Sequence, residues 1–485
     1  MDEKKLKKIF RRYWPVLILG LFFFLRLPSL FEPFTYGDEG IYLALGQALR
    51  AGQVFYRDIH DNKPPMLYLV AALTNEFWLY RMFYFLWSLV TIWVFVKLAQ
   101  KLFGKNKPAV ILATFVFAFL TNLHTFEGNI ANAENLMMLP TIGAFYLILK
   151  NRSWFWSGAL LSLATLFKIP AGFDFAAFLV FGFLVAKKKE CLKLFHRAAM
   201  AVIGFAGPLF ITFVYYANQG ALTPYLKAAF FQNIPYLASW AGTQAQGWGL
   251  PWPLIIRGLL ALLTVVILFI FRKKVSSTVC LVITWFTFSL FAALLSSRPY
   301  PHYLVQVLPA LSLSWGLVLS RKKEKIVPLI LSLILLASSC LFHFWHNHNW
   351  PYYQNFYQFA FNQKNKQEYW AWFGDQTQSL YDTAAFLQTH TTPNEQIFIW
   401  GTRPSIYALA HRLPVGRYTT SYHIIDFDGY QETIAALQQN PPRYIIVTGE
   451  ENRPFPTFFA FLENHYTPTI LFNQIRLFRL VQPQP

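Results

Sequence analysis

The feature that most constrains this chain is its alternation of long apolar runs with short clusters of Lys and Arg. A helix needs about 20 apolar residues to cross a bilayer, with about 17 to 25 as the working range. Such runs fall near 14–31, 80–100, 108–122, 136–150, 154–168, 171–187, 198–217, 253–271, 276–296, 303–319 and 326–343. They predict an α-helical polytopic membrane protein with about eleven transmembrane helices. Composition agrees: 13% of the residues are charged, against about 25% in soluble domains.

The basic clusters predict orientation. Lys4, Lys5, Lys7, Lys8, Arg11 and Arg12 lead the chain, and Lys97, Lys101, Lys105 and Lys107 follow the second run. Lys150 and Arg152 follow the fourth, and Lys187, Lys188, Lys189, Lys193 and Arg197 the sixth. Arg272, Lys273 and Lys274 follow the eighth, and Arg321, Lys322, Lys323 and Lys325 the tenth. Basic residues in every second loop place the N-terminus in the cytoplasm, make the number of spans odd and put the C-terminal segment outside. The same placement excludes a nucleic-acid reading of the +19 net charge, because no basic stripe forms along one face. Lys168-Ile169-Pro170-Ala171-Gly172 is expected to break 154–187 into two short helices, since Pro removes a helix hydrogen bond. Read as one helix, 154–187 would move every later basic cluster outside. No small-residue cleavage site follows the apolar stretch Pro15–Leu30, so the first run is expected to be retained. Cys191, Cys280 and Cys340 form no CxxC pair, and neither a zinc site nor a disulfide is expected.

The chain divides by composition into a transmembrane region, 1–343, an aromatic interfacial linker, 344–375, and a small outer α/β domain, 376–485. In the outer domain, helices are predicted at Ser379–Thr389, Ser405–Ala410 and Gln431–Gln439. Strands are predicted at Gln396–Trp400 and Arg443–Thr448. No GxGxxG follows the first strand, so no dinucleotide site is expected. Gln482–Pro485 reads as a frayed end.

The long first outer loop, 32–79, carries Tyr36-Gly37-Asp38-Glu39-Gly40 and then Tyr56-Arg57-Asp58-Ile59-His60-Asp61-Asn62-Lys63-Pro64-Pro65. Its segments Glu39–Arg50 and Pro64–Leu73 are amphipathic and suit a membrane surface. Sugar transfer from a lipid phosphate needs a carboxylate to activate the acceptor and a cation to stabilise the departing phosphate. Asp38, with Glu39 beside it, suits the first role. The flanking glycines are expected to let the backbone place Asp38 at the end of the first helix. Lys63 suits the second role, its backbone restricted by Pro-Pro. Arg57, Asp61 and Asn62 are candidate supporting groups. Further along, Glu127 precedes Asn132-Ala133-Glu134, and Glu134 is expected to hold Lys168 or a metal near Asp38. Lys168 and Asp174 flank the helix break, and ionisable residues at such depth mark function. Arg298, His302, Tyr303 and Gln306 lie before or at the start of the tenth run, with Arg298 and His302 suited to phosphate oxygens. Each feature also has a plain alternative: a solvated loop, helix-end electrostatics, a snorkelling lysine or aromatic belt packing. His343, His346 and His348 share no helix face and are not read as a metal set.

The pieces Gly37-Asp38-Glu39, Asp61-Asn62-Lys63-Pro64-Pro65, Asn132-Ala133-Glu134, Phe167-Lys168 and His302-Tyr303-Leu304-Val305-Gln306-Val307-Leu308-Pro309 occur in an order that resembles a known family. It is that of bacterial GT-C glycosyltransferases of the protein O-mannosyltransferase and lipid A aminoarabinose transferase superfamily. The nearer likeness is to the branch that glycosylates lipopolysaccharide core or other envelope glycans. Ile397-Phe398-Ile399-Trp400-Gly401, Ile406-Tyr407 and Pro441-Pro442-Arg443-Tyr444-Ile445-Ile446-Val447 resemble that branch's tail. One departure is Thr74-Asn75-Glu76, which interrupts the apolar pattern before the second run.

The resemblance implies a GT-C fold and an inverting transfer from a polyprenyl-phosphate sugar to a lipid, glycan or protein acceptor. It implies Asp38 as catalytic carboxylate, Lys63 as phosphate anchor, and Glu134 and Lys168 as polar partners. A divalent cation, at Asp38 or Glu134, is left open. Rival readings are a transporter or flippase of lipid-linked sugars, a polymerase or ligase using diphosphate-linked donors, and a glycan-binding scaffold. A transporter predicts charges deep in several spans and an internal repeat. Here the notable charges crowd the outer face and no repeat is seen.

Overall fold

A computed structural model describes residues 3–150, 153–187, 191–234, 237, 252–320 and 324–481. Arg152, Lys188, Lys189, Arg321, Lys322, Lys323 and the expected frayed end Gln482–Pro485 lie outside the described residues.

In chain order the helices are α1 (Glu3–Arg26), α2 (Gly37–Arg50), α3 (Met66–Thr74), α4 (Phe77–Phe103), α5 (Lys107–Leu120), α6 (Ala133–Leu149), α7 (Trp154–Phe167), α8 (Gly172–Val185), α9 (Cys191–Asn218), α10 (Leu222–Ala229), α11 (Trp252–Phe271), α12 (Ser277–Ala293), α13 (Leu308–Leu317) and α14 (Val327–Leu341). They continue with α15 (Asn349–Ala360), α16 (Lys366–Ala371), α17 (Thr377–His390), α18 (Ser405–Ala410), α19 (Ser421–Asp426), α20 (Tyr430–Gln439) and α21 (Pro456–His465). The strands are β1 (Phe398–Trp400), β2 (Tyr444–Thr448), β3 (Tyr466–Phe472) and β4 (Ile475–Leu480). The chain forms two compact units. The first holds Met1–Ser29, Phe83–Tyr215 and Phe230–Trp350; the second holds Leu30–Met82, Tyr216–Ala229 and Pro351–Pro485.

In the first unit each expected apolar run carries a helix. Among the described residues, four stretches are long and apolar enough to cross a bilayer: Tyr13–Leu30, Phe77–Phe103, Leu192–Asn218 and Trp252–Phe271. Six of the other runs give shorter apolar helices, and the tenth gives the ten-residue α13. The break at Lys168 is real: α7 stops at Phe167, Ile169–Ala171 make one 3₁₀ turn, and α8 starts at Gly172. The tenth run is also divided, since Pro301–Val307 is 3₁₀ before α13 begins.

A buried arginine among these helices is matched with polar partners, as a low-dielectric interior requires. Arg26 donates to Asn122 Oδ1 at 2.9 Å, to Ser88 Oγ at 3.3 Å and to the Gly128 carbonyl, and lies 4.3 Å from the Tyr84 ring centre. Helices α7 and α9 touch through two small residues. A Cβ on Gly158 would lie 2.0 Å from the Ala201 carbonyl oxygen, and one on Gly204 1.9 Å from the Phe155 carbonyl oxygen. The obstacle is backbone in both cases, so no side-chain shift can relieve it.

The second unit contains a four-stranded sheet of order β1-β2-β4-β3. Strands β1 and β2 are parallel, with Ile399 opposite Ile446; β2–β4 and β3–β4 are antiparallel. Phe398, Trp400, Val415, Tyr418, Ile424, Leu437, Ile445 and Phe458 form its core. The segment 32–79 belongs to this unit. A Cβ on Gly40 would lie 2.5 Å from Ser405 Oγ, so α2 rests directly on the start of α18. Helix α3 ends where Asn75 turns left-handed (φ 61°), which accounts for the Thr74-Asn75-Glu76 interruption.

Gly204→Leu should push α7 and α9 apart and lower stability by about 2 to 4 kcal/mol. Thermal unfolding of the detergent-solubilised protein checks this; an unchanged transition would contradict the close crossing.

Candidate active site

The site residues fall into two clusters, one in each unit. In the second unit, α2 starts at Gly37, so Asp38 occupies its first turn. The expectation that Asp38 lies at the end of the first helix does not hold. That helix stops at Arg26, a 3₁₀ turn covers Leu27–Leu30, and the chain runs on to a new helix. A first-turn carboxylate is favoured by the unpaired N–H groups of the helix start. Gly40 serves close packing on Ser405 rather than the turn.

Lys63 Nζ lies 3.8 Å from Asp38 Oδ2 and 3.9 Å from Asp61 Oδ2. The ammonium therefore stands between two carboxylates, at distances longer than a tight charge-assisted hydrogen bond. Tyr42, one helical turn after Asp38, donates to Asp38 Oδ2 at 2.8 Å, and its ring lies 5.1 Å from Lys63 Nζ. The Tyr56 hydroxyl donates to the Lys63 carbonyl at 2.8 Å, which fixes the backbone from which the ammonium extends. Asp38 and Lys63 are partly exposed, whereas the Asp61 side chain is wholly buried. Burial works to raise the Asp61 carboxyl. The charge of Lys63, the facing His423 and the Asn62 N–H outweigh it and hold its pKa below the usual carboxylate range. The Asn62 N–H donates to Asp61 Oδ1 at 2.6 Å. Burial lowers His60 to about 3.

Adjacent Glu39 has a different setting. It is fully buried, and Arg81 donates to its Oε2 from Nη2 at 2.7 Å and from Nε at 3.1 Å. Arg81 also donates to the Glu32 carbonyl at 2.7 Å and stacks 4.7 Å from the Phe34 ring centre. The pair ties the start of α2 to the chain before it. Arg57 pairs with Asp58 at 2.8 Å and donates to the Gln219 carbonyl at 3.0 Å; its side chain is largely exposed.

In the first unit, Lys168 caps the end of α7 and contacts Glu134 in the first turn of α6. Its Nζ lies 3.8 Å from the Tyr303 ring centre, within cation–π range. His302 sits between two carboxylates, with Nδ1 2.6 Å from Glu127 Oε2 and Nε2 3.7 Å from Glu134 Oε1. Gln306 donates to Asp174 Oδ2 at 2.8 Å and to the Pro170 carbonyl at 3.1 Å. Asp174 also accepts from Trp285 and Ser289 at 2.9 and 2.8 Å. Glu134, Lys168, His302, Tyr303 and Gln306 are thus brought together. Arg298 lies in the preceding turn, its N–H donating to Ser296 Oγ at 3.3 Å. Asp38 and Glu134, the residues considered for a cation, lie in different units. Among the described residues no group of three or more His, Cys, Asp or Glu is arranged to hold a metal.

Several participants were missed in the sequence. Tyr42 follows Asp38 at helical spacing and was legible; Arg81, His60 and His423 carry no local signal.

Residues 62–216 match the family model of dolichyl-phosphate-mannose-protein mannosyltransferase. A search of curated proteins finds no match. The fold is similar to that of ArnT from Cupriavidus metallidurans bound to undecaprenyl phosphate, at TM-score 0.58 and 14% identity over 97% of this chain and 99% of that one. It is likewise similar to ArnT from the same organism in the apo state, at TM-score 0.53 and 13% identity over 98% and 99%. The family-model match over 62–216 and the similar fold support the GT-C superfamily and indicate a glycosyltransferase.

The two neighbouring carboxylates should separate experimentally. Glu39→Gln leaves Arg81 buried without its counter-charge and should cost about 3 kcal/mol or more. Asp38→Asn, in a partly exposed pair, should stay within about 1 kcal/mol of the parent. Thermal unfolding of both variants checks this, and equal losses would contradict it.

Proposed function

We propose that the chain transfers a sugar from a polyprenyl-phosphate donor to a hydroxyl- or amine-bearing lipid, glycan or protein acceptor at the outer face of the membrane, with inversion at the anomeric carbon. The observation that carries this reading is the Lys63 ammonium 3.8 Å from the Asp38 carboxylate at the head of α2. It is supported by a fold shared with a protein crystallised with undecaprenyl phosphate.

Asp38 is the general base. It takes the acceptor's proton as the acceptor oxygen or nitrogen attacks the anomeric carbon. The bond from that carbon to the phosphate oxygen breaks, and the electron pair leaves on the polyprenyl phosphate. Lys63 binds that phosphate and stabilises its growing charge. A single displacement of this kind inverts the anomeric configuration. Glu39, held by Arg81, sets the helix start from which Asp38 projects. Asp61 and Asn62 hold Lys63, and Arg57 stands on the exposed side of the same loop. We assign Lys168, with Glu134, His302, Tyr303, Gln306 and neighbouring Arg298, to an anion-binding feature of the first unit. The spacing of the basic clusters supports about eleven spans, a cytoplasmic N-terminus and an extracytoplasmic tail.

The test is transfer of labelled sugar from a panel of polyprenyl-phosphate sugars by purified protein, with membrane extract as acceptor. Asp38→Asn should lower the rate by about 10² to 10⁴-fold, and the product anomer should be opposite to the donor's. Full activity in the variant, or retained configuration, would overturn the assignment. No transfer from any donor of the panel would favour a diphosphate-linked donor or a transporter.

A further inference from the structure

The Asp61 carboxylate is an anion with no exposed surface, and an ion in such a place needs compensation from every side. Lys63 supplies one side at 3.9 Å, and the Asn62 N–H another at 2.6 Å. On a third side stands a residue from the far end of the chain: His423 Nε2 lies 3.8 Å from Asp61 Oδ1. His423 belongs to α19, whose place is fixed by the fold of the tail. The Ser421 N–H donates to the Gly401 carbonyl at the end of β1 at 3.0 Å, and the Phe427 N–H donates to the His423 carbonyl at 3.2 Å. Just upstream, the Arg417 carbonyl accepts from the His60 N–H at 3.0 Å, so the tail grips the loop one residue before Asp61. The imidazole is held between rings, 5.6 Å from Phe427 and 6.3 Å from His60, centre to centre.

The other ring nitrogen decides the tautomer. His423 Nδ1 is buried and has no hydrogen-bond partner among the described residues. A bare acceptor there is tolerated better than a bare N–H, so the proton belongs on Nε2, facing Asp61. Burial keeps the ring below its ordinary pKa, against the pull of Asp61. It therefore acts on Asp61 as an N–H dipole. Lys63, Asp38 and Asp426 are the other charged groups acting on the ring, and His60 faces it as a neutral ring.

We propose that His423 is a positioning residue for the phosphate anchor. Its Nε2–H compensates the buried Asp61 carboxylate, and Asp61 in turn keeps Lys63 from collapsing onto Asp38. The distances of 3.8 and 3.9 Å from Lys63 to the two carboxylates are the balance this maintains. The tail is then part of the working site and not merely a cover. This inference rests on the reading of Lys63 as donor anchor, and its test is built to fail separately.

Two substitutions distinguish positioning from packing. His423→Phe keeps an aromatic ring against Phe427 and loses the N–H. His423→Gln keeps an N–H near the Nε2 position and loses the ring. The expected result is that His423→Phe raises KM for the polyprenyl-phosphate sugar about tenfold, the scale of one lost polar contact, with kcat little changed. His423→Gln should restore KM to near the parent value. A purely structural ring predicts the reverse order, with Phe tolerated and Gln impaired, and that order would overturn the proposal. In parallel, acylation of Lys63 by an amine-reactive reagent at fixed pH is followed by mass spectrometry. His423→Phe should slow acylation several-fold, because Asp61 without its N–H partner holds the Lys63 ammonium more strongly, and His423→Gln should not. That readout needs no substrate. If the parent protein transfers no sugar, the functional reading falls, and the Lys63 labelling still decides the link. Unchanged labelling in His423→Phe would overturn it.

Discussion

The candidate site depends on one cation shared between two anions. Lys63 stands almost equally far from Asp38 and Asp61, and the two carboxylates have opposite surroundings. Asp38 is partly open and can meet a substrate, while Asp61 is sealed in. A lysine with only Asp38 for company would close into a tight pair, and both groups would lose the chemistry proposed for them. Asp61 prevents this, and it stays ionised because Lys63, His423 and a backbone N–H offset its burial. The loop that carries Lys63 is held in turn by Tyr56 and by the tail segment at Arg417. A local pair thus draws on residues scattered along the whole second unit.

The same principle governs the helical unit. Arg26, Asp174, Glu134 and Lys168 are costly among apolar helices, and each is matched with specific partners. Asp174 binds Gln306 across the break between α7 and α8, and Gln306 reaches the Pro170 carbonyl inside that break. The interruption of an apolar run is therefore a designed feature with its own hydrogen bonds. The close α7–α9 crossing at Gly158 and Gly204 adds what apolar lipid cannot drive, close backbone contact between helices.

Much of this was legible in the sequence. Apolar runs read as helices because lipid-facing segments must satisfy their backbone internally. The break at Lys168 was readable from Pro170 and Gly172, and Asp38 and Lys63, both singled out in the sequence, lie 3.8 Å apart. The tail's first strands and helices were readable from their alternation, with Ser405–Ala410 placed as expected. The closing hairpin of β3 and β4 was not, because Thr467-Pro468-Thr469 hides the strand pattern and the register shifts between Pro468 and Ile470. The difference between Asp38 and Glu39 was equally hidden. It is set by Arg81, far along the chain, and no spacing rule reports which of two adjacent carboxylates a distant arginine will take. His423 is the extreme case: α19 is short and polar, and only the fold brings it to Asp61.

The central claim is that Lys63 holds the donor and Asp38 acts on the acceptor. The most direct measurement is binding of polyprenyl phosphate, without sugar or acceptor, to the purified parent, Asp38→Asn and Lys63→Met proteins, alongside their transfer rates. The account predicts that Lys63→Met loses affinity by about tenfold or more, while Asp38→Asn binds at least as well as the parent and transfers almost nothing. Equal affinity in Lys63→Met, or loss of binding in Asp38→Asn, would contradict it.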